Sequence, residues 1–155
     1  MSLPIFRPIL RIGIGKCSTF GGPDDEGVDP DEGLAFIYAY DDAPYLFLPE
    51  QPEGTTGLAR RLDPQAPYIA CRWDYAVHPK SMLVNHAMHQ AMVRAKGKGG
   101  WFFALPVDWG PHEDTGRVAD ISPGLMRSLG IKTDDEIEVM YPISAWQLIA
   151  EGQTL

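Results

Sequence analysis

Trp101–Pro111 reads WFFALPVDWGP and Arg117–Gly124 reads RVADISPG, and these two stretches decide the fold. The first is an apolar, β-prone run that stops at Asp108, where Gly110-Pro111 favours a turn. The second run is shorter and ends at Asp120. Both stretches therefore predict strands that end in a carboxylate, at positions where the side chain can face a groove.

Signals for a short helix follow the second run directly. Ser122 can cap the helix, Pro123 suits its first turn and Gly130 ends it. The stretches Leu34–Tyr40 and Tyr45–Leu48, joined by turn-forming residues, predict a hairpin. The other apolar or alternating runs predict further strands at Leu10–Ile14 with Cys17–Phe20 as its continuation, Tyr68–Trp73, Met82–Val84, Ala91–Ala95 and Glu136–Tyr141, and a short helix at Ala145–Glu151.

The composition fits a β-rich domain with a real core. The chain has 155 residues, of which 45% are hydrophobic, and its 16 glycines and 14 prolines favour many short strands over long helices. A sheet with so few helices has to remove its edges, which closure into a barrel achieves. We therefore predict a mostly β protein, with residues 1–155 forming one domain around a barrel.

The charge and the apolar pattern exclude several classes of partner. The formal net charge of −8 argues against nonspecific nucleic-acid binding, which needs a basic face. No window approaches the roughly 20 apolar residues of a membrane span. Met1–Ile14 lacks the continuous apolar core of a secretory signal. The expectation is a cytoplasmic protein, unless it is exported or released by a route that the sequence does not reveal. The oligomeric state stays open.

Three motifs resemble one family in their order along the chain. Gly15–Gly21 is similar to the opening strand of rare lipoprotein A-like double-psi β-barrels, which typically reads Gly-x-Ala-Ser-Trp-Tyr-Gly. Val107–Pro111 resembles their Asn-Asp-Arg-Gly-Pro segment, and Gly116–Pro123 resembles their Gly-Arg-x-x-Asp-Leu-Ser segment. Leu129-Gly130 falls where the family closes its short helix. The resemblance spans Gly15 to about Tyr141.

The resemblance implies a six-stranded double-psi barrel, with its core between about residues 10 and 142, one or two short helices, and extra loops or a hairpin. It also implies an open groove, in a superfamily that includes peptidoglycan lytic transglycosylases, small endoglucanases and non-hydrolytic expansins. Asp120 matches the general acid of the catalytic members, and Asp108 matches the acid of the Asp-Arg-Gly-Pro segment. The residues expected to contact substrate are Ser18, Phe20, Trp73, Trp109, His112 and Arg117.

Two family features are absent from the sequence. Phe20 stands where relatives carry a groove-lining tyrosine, so that hydroxyl is missing. The family's Thr-Ala-Ala-His segment has no counterpart, and Ala59–Pro64 stands near that place without a histidine. The resemblance therefore implies glycan binding more directly than glycan cleavage.

The enzymatic hypothesis needs a carboxylic acid that is still protonated near neutral pH, which burial can provide. Asp120 lies between Ala119 and Ile121 and fits that role. A hydrolase would use a second carboxylate, whereas a lytic transglycosylase can work with one acid because the sugar's own hydroxyl attacks. Trp109, Trp73 and Tyr75 could stack on sugar rings.

Each candidate residue also has a structural interpretation. Asp120 could accept backbone N–H groups near the helix start, and Asp108 could merely set its turn. Arg117 could pair with either acid and lower its pKa. His112, close to Asp108 in sequence, could share proton-transfer work or lie in a solvated loop. Trp101, Phe102 and Phe103 are expected in the core.

No metal or other cofactor is predicted. His86 and His89 have the spacing of helical metal ligands, but the stretch indicates a turn without a third ligand. The acidic stretch Asp24–Glu32 does not match a calcium-loop pattern and indicates a solvated loop. A disulfide between Cys17 and Cys71 stays open.

Two functional hypotheses of different classes follow. The first is a barrel whose groove binds a polysaccharide, with a peptidoglycan glycan strand as the favoured ligand and lytic transglycosylase-like or glycosidase-like cleavage as an open extension. The second is a non-catalytic structural or protein-interaction domain, associated for example with phage or secretion. A peptide or protein ligand in the groove is a further alternative.

Overall fold

The computed structural model describes residues 9–72 and 90–143 as a closed six-stranded barrel with one short helix. The strands follow the order β1-β5-β2-β4-β3-β6 around the barrel. The β1/β5 and β2/β4 pairs are parallel and the other four are antiparallel. The elements are β1 Ile9–Thr19, β2 Tyr68–Cys71, β3 Ala91–Ala95, β4 Phe102–Trp109, β5 Arg117–Ile121, α1 Pro123–Leu129 and β6 Glu136–Ile143. The prediction of a mostly β, six-stranded barrel is confirmed.

Some predictions lie outside the described residues. They are the strand at Met82–Val84, the helix at Ala145–Glu151, the contacts of Trp73 and Tyr75, and the histidine pair His86 and His89. Among the described residues, no helix is long and apolar enough to cross a membrane.

Strand β1 closes the barrel by pairing with two neighbours in turn. Its register with β6 runs from Ile9 to Lys16, and its register with β5 runs from Lys16 to Thr19, with an irregularity between Lys16 and Cys17. Gly13 lies so close to Val118 of β5 that a Cβ there would overlap the valine Cγ2. The small residue therefore allows β1 to cross closely over β5.

The barrel interior holds both cysteines, and no disulfide joins them. Cys17 of β1 and Cys71 of β2 each lie opposite Ala119 of β5, so a strand separates them. Two strand spacings amount to about 10 Å between Cα atoms, whereas a disulfide needs less than about 7 Å. Both cysteines are fully buried and neither forms a disulfide, so the open question of a disulfide is answered in the negative.

The helix signals in the sequence are confirmed atom by atom. Ser122 precedes α1, and its side chain accepts a hydrogen bond from the Leu125 N–H at 3.1 Å. Pro123 is the first helical residue, and Gly130 ends the helix with φ 69°. The helix therefore begins and ends where capping chemistry places it.

A second core lies outside the barrel, where the predicted hairpin is wrong. The residues of Leu34–Tyr40 and Tyr45–Leu48 form loops and the short 3-10 turns Tyr40–Asp42 and Pro44–Leu46. Four of their side chains, Leu34, Ile37, Leu46 and Phe47, are buried together with outward-facing residues of β2 and β4; this outer core also includes Val28, Leu62, Tyr68 and Val107. These apolar runs are buried by packing on a sheet face rather than by pairing into a sheet, which sequence periodicity cannot distinguish.

The opposite outer face of the barrel, called the bare face below, exposes large apolar side chains within the described part of the chain. One cross-strand row joins Ile12 of β1, Met140 of β6, Met92 of β3 and Phe103 of β4. Ile12 is 59% exposed and Phe103 is 61% exposed. The expectation that Phe102 and Phe103 belong to the core is wrong, because Phe103 faces outward and Phe102 lies at the strand start, where it is also exposed. Trp101 is half-buried, under the Arg94 guanidinium.

Candidate functional site

A cleft of about 300 Å³ lies between the strands and the loop that follows β1. We call this side of the barrel the covered face. The floor of the cleft is a row of neighbouring residues across four strands. Asp120 of β5 lies opposite Ser18 of β1 on one side and Ala70 of β2 on the other, and Ala70 in turn lies opposite Asp108 of β4. The fold thus brings both sequence-predicted acids to one cleft.

The separation of the two acids follows from this register. Asp120 and Asp108 are two strands apart, so their Cα atoms lie about 10 Å from each other. Between them stands only the methyl group of Ala70. The row therefore leaves room above Ala70 for a ligand flanked by two carboxyl groups.

Asp120 is half-buried, and one of its carboxylate oxygens has no matching hydrogen bond among the described residues. Its Oδ1 is inaccessible to solvent and has no hydrogen-bond partner in the described part of the chain. Burial raises the pKa of Asp120 to about 6; the Arg117 charge opposes this shift, and the Asp108 and Asp25 charges add to it. The helix N-terminus is capped by Ser122 rather than by Asp120. Asp120 therefore keeps its proton up to about pH 6, well above the range of an ordinary aspartate.

Asp108 is anchored more firmly than Asp120. Its Oδ1 accepts hydrogen bonds from the backbone N–H of Ala35 at 3.0 Å and of Trp109 at 2.9 Å. Burial raises the Asp108 pKa, while these two bonds oppose the rise. Asp108 fastens the loop to β4, so its structural interpretation holds in part. Its hydrogen bond from the Trp109 N–H is local, whereas its hydrogen bond from the Ala35 N–H joins β4 to a distant part of the loop.

Arg117 lines the cleft but pairs with neither of the two predicted acids. Its Nε donates to Oδ1 of Asp134 at 3.0 Å. Its positive charge still lowers the pKa of Asp120, which places it within electrostatic range. Arg117 therefore lies at the edge of the site, with its guanidinium committed to a residue outside the cleft.

Two further carboxylates in the cleft escaped the sequence analysis. Asp25 accepts hydrogen bonds from the Gly21 N–H at 2.6 Å and the Gly27 N–H at 3.0 Å, and it shapes the covering loop. Burial raises the pKa of Glu32, and the charge of Asp108 adds to this shift. Both belong to the acidic stretch expected to be solvated. No local signal shows that this loop folds back over β4 and β5.

The aromatic residues of the cleft differ in their contacts. Trp109 follows Asp108 at the end of β4 and is 37% exposed, so part of its indole faces the cleft. Phe20 packs edge-on against Tyr68, whose hydroxyl donates to the Phe20 carbonyl at 2.7 Å. Ser18 completes the wall on the β1 side. Trp109 is therefore the described aromatic residue best placed to stack on a ligand.

His112 stands apart from the cleft lining. Its Nδ1 accepts the Asp114 N–H at 3.3 Å at the start of the 3-10 turn Glu113–Thr115, and its side chain is 69% exposed. Ala59, in the segment that occupies the place of the family's histidine motif, is buried in the outer core. Within residues 9–72 and 90–143, no histidine lines the cleft.

The described residues contain no group of three or more histidine, cysteine or acidic side chains arranged to hold a metal ion. A scan against protein-family models gives no match to the chain, and a search of curated proteins gives none either. The chemistry of the site therefore has to be argued from its geometry.

Proposed function

We propose that the cleft binds a glycan strand, with peptidoglycan as the favoured substrate, and that Asp120 is the general acid that cleaves it. The observation that carries the proposal is that Asp120 lines a cleft shared with Asp108 while its buried Oδ1 has no partner in the described residues. A buried acid with a raised pKa can give its proton to a leaving oxygen at neutral pH.

The environments of the two carboxyl groups suggest a division of roles. Asp120 has a pKa raised to about 6 and no hydrogen bond to its Oδ1, whereas two backbone N–H groups stabilise the ionised form of Asp108. Two acids held in unlike environments are the usual arrangement for glycoside cleavage. Asp120 is thus the proton donor, and Asp108 is the anion that stabilises positive charge on the sugar ring.

The reaction closes without a cofactor. Asp120 gives its proton to the glycosidic oxygen as the bond from the anomeric carbon to that oxygen breaks. A hydroxyl oxygen of the same sugar then bonds to the anomeric carbon, and the Asp120 carboxylate takes the hydroxyl proton. If water attacks instead, the product gains one water molecule, and Asp108 serves as the base.

The proposal extends to the family, a rare lipoprotein A-like double-psi barrel. Two parallel pairs, β1/β5 and β2/β4, within a closed six-stranded barrel support this assignment. So does the position of both motif acids in one cleft. The missing family histidine is the main difference, and in this proposal Asp120 works without it.

A second candidate is a non-catalytic interaction domain, favoured by the bare apolar row from Ile12 to Phe103. A contiguous apolar surface is typical of sites where proteins associate. On this alternative the carboxyl groups of the cleft perform no chemistry, and the outer face of β1, β6, β3 and β4 is the working surface.

The test combines binding and cleavage on one material. The full chain is incubated with purified peptidoglycan sacculi; sedimentation measures binding, and mass spectrometry of the soluble fragments measures cleavage. Asp120→Asn should bind normally and release at least about 100-fold less product, because a general acid contributes that much. Asp114→Asn, which removes an exposed carboxylate outside the cleft, is the matched control.

The outcomes separate the candidates. Products without added water support transglycosylation, and products with added water support hydrolysis by the same residues. Binding without release by the wild type refutes the enzymatic part and leaves a glycan-binding module. Absence of both binding and release refutes the proposal and favours the protein-interaction domain.

A further inference from the structure

We propose that Asp134 is a positioning residue of the cleft, whose carboxylate holds the Arg117 guanidinium so that Asp120 faces the cleft without a cationic partner. This inference rests on the proposed function, in which Asp120 must keep its proton. Asp134 itself does not line the cleft, and it acts only through Arg117.

The contact between the two side chains is direct. Arg117 Nε donates to Asp134 Oδ1 at 3.0 Å. The hydrogen bond from Arg117 is the main cause that lowers the Asp134 pKa. Arg117 also lines the cleft with Asp120, so a released guanidinium would find a buried, partnerless carboxylate oxygen nearby.

The barrel fixes Asp134 at this position through its backbone. The Asp134 N–H donates to the Cys17 carbonyl at 2.7 Å, and the Cys17 N–H donates to the Asp135 carbonyl at 3.2 Å. These bonds dock the turn before β6 onto the irregularity in β1, next to Lys16, whose partner on β5 is Arg117. The carboxylate of Asp134 is therefore presented to Arg117 by the closure of the barrel.

The backbone conformation of Asp134 strengthens the argument. Its φ of 70° is the only positive value at a non-glycine position among the described residues. Glycine or asparagine suits that region at least as well as aspartate, since both adopt it readily. The backbone conformation alone therefore does not explain an acidic side chain at position 134. The ion pair with Arg117 does explain it.

The charges around Asp120 come from several segments of the barrel. Asp108 from β4 and Asp25 from the loop raise the Asp120 pKa, and the charge of Arg117 on β5 lowers it. The Arg72 guanidinium, which follows β2, donates to the Pro111 and Arg117 carbonyls. On β1, the Asp120 charge also raises the pKa of the buried Cys17 thiol. Ala70 on β2 carries no charge. The protonation of Asp120 therefore depends on where the Arg117 guanidinium is held.

The experiment follows the titration of the Asp120 side-chain carboxyl by carbon-13 NMR in the full chain. Asp134→Asn, which the left-handed backbone tolerates, should lower the Asp120 pKa by roughly one unit as Arg117 turns toward it. Asp114→Asn, which removes another exposed acid, should leave the titration unchanged. In an Arg117→Gln background, Asp134→Asn should have no effect on Asp120.

An unchanged Asp120 titration in Asp134→Asn overturns the inference. A loss of stability in this variant would not rescue it, because a purely structural ion pair would also cause such a loss. A shift that persists in the Arg117→Gln background also overturns it, since Asp134 would then act directly. The titration requires no glycan, so it can succeed while sacculus cleavage fails. Where cleavage occurs, its pH profile should lose activity at correspondingly lower pH.

Discussion

The two outer faces of this barrel treat their carboxylates in opposite ways. On the covered face, the loop after β1 buries Asp120, and burial raises its pKa to about 6. On the bare face, Glu138 of β6 pairs with Arg94 of β3, and that contact lowers its pKa. Both acids extend outward from strands of the same sheet. The two acids differ in burial and in pairing, because Asp120 lies under the loop without a hydrogen bond to its Oδ1 among the described residues, whereas Glu138 is hydrogen-bonded to Arg94.

The largest expected contrast between the faces concerns stability. Leu46→Ala in the outer core should lower the free energy of unfolding by about 2–5 kcal/mol, because Leu46 is fully buried and the substitution leaves a cavity. Ile12→Ala on the bare face should change it by less than about 0.5 kcal/mol. Urea denaturation of both variants measures the contrast. Equal losses would mean that the two faces are equally packed.

The next contrast concerns pH. The folded-state pKa of Asp120 lies above the ordinary aspartate value of 3.8, so ionisation of Asp120 destabilises the folded state as pH rises through about 6. Asp120→Asn removes that penalty and should stabilise the protein at pH 8 by up to about 3 kcal/mol, with no gain at pH 3. Denaturant unfolding at both pH values tests this. A loss of stability at pH 8 would contradict the assignment of a strained, ionised carboxylate.

The smallest expected effect has the opposite sign. The Glu138 pKa is lowered below 4.5, so its pairing stabilises the folded state above that pH and is lost as pH falls through the folded-state value. Glu138→Gln should therefore destabilise the protein slightly at pH 7 and make no difference at pH 2. Thermal unfolding across this range measures it. A gain in stability at pH 7 would remove the contrast between the faces.

The sequence predicted what local chemistry controls. Asp108 and Asp120 sit where apolar runs meet turn residues, and Ser122 and Gly130 bound the helix by capping, so all four features follow from nearby residues. Leu34–Tyr40 satisfies the same strand pattern but packs against β2 and β4 as a loop. An apolar run can pair as a strand within a sheet or pack as a loop on the face of one. Which of these happens depends on residues far away in the chain, and local periodicity carries no information about them.

The same limit explains the site residues that were missed. Asp25 and Glu32 line the cleft because the loop folds back onto the strands. Asp134 contacts Arg117 although the two residues are 17 positions apart in the chain. Phe102 and Phe103 were expected inside because apolar runs usually are, yet both are exposed in the described part of the barrel. In each case the deciding contact joins segments far apart in the chain.

Ala119 stands between the two thiols, and this gives the interior a chemical consequence. Burial raises the pKa of Cys17 to about 11, so its sulfur stays protonated and is a weak nucleophile at neutral pH. With an alanine between them, the sulfurs cannot crosslink without moving a strand. The redox potential of the surroundings therefore does not determine whether a disulfide crosslinks these two strands.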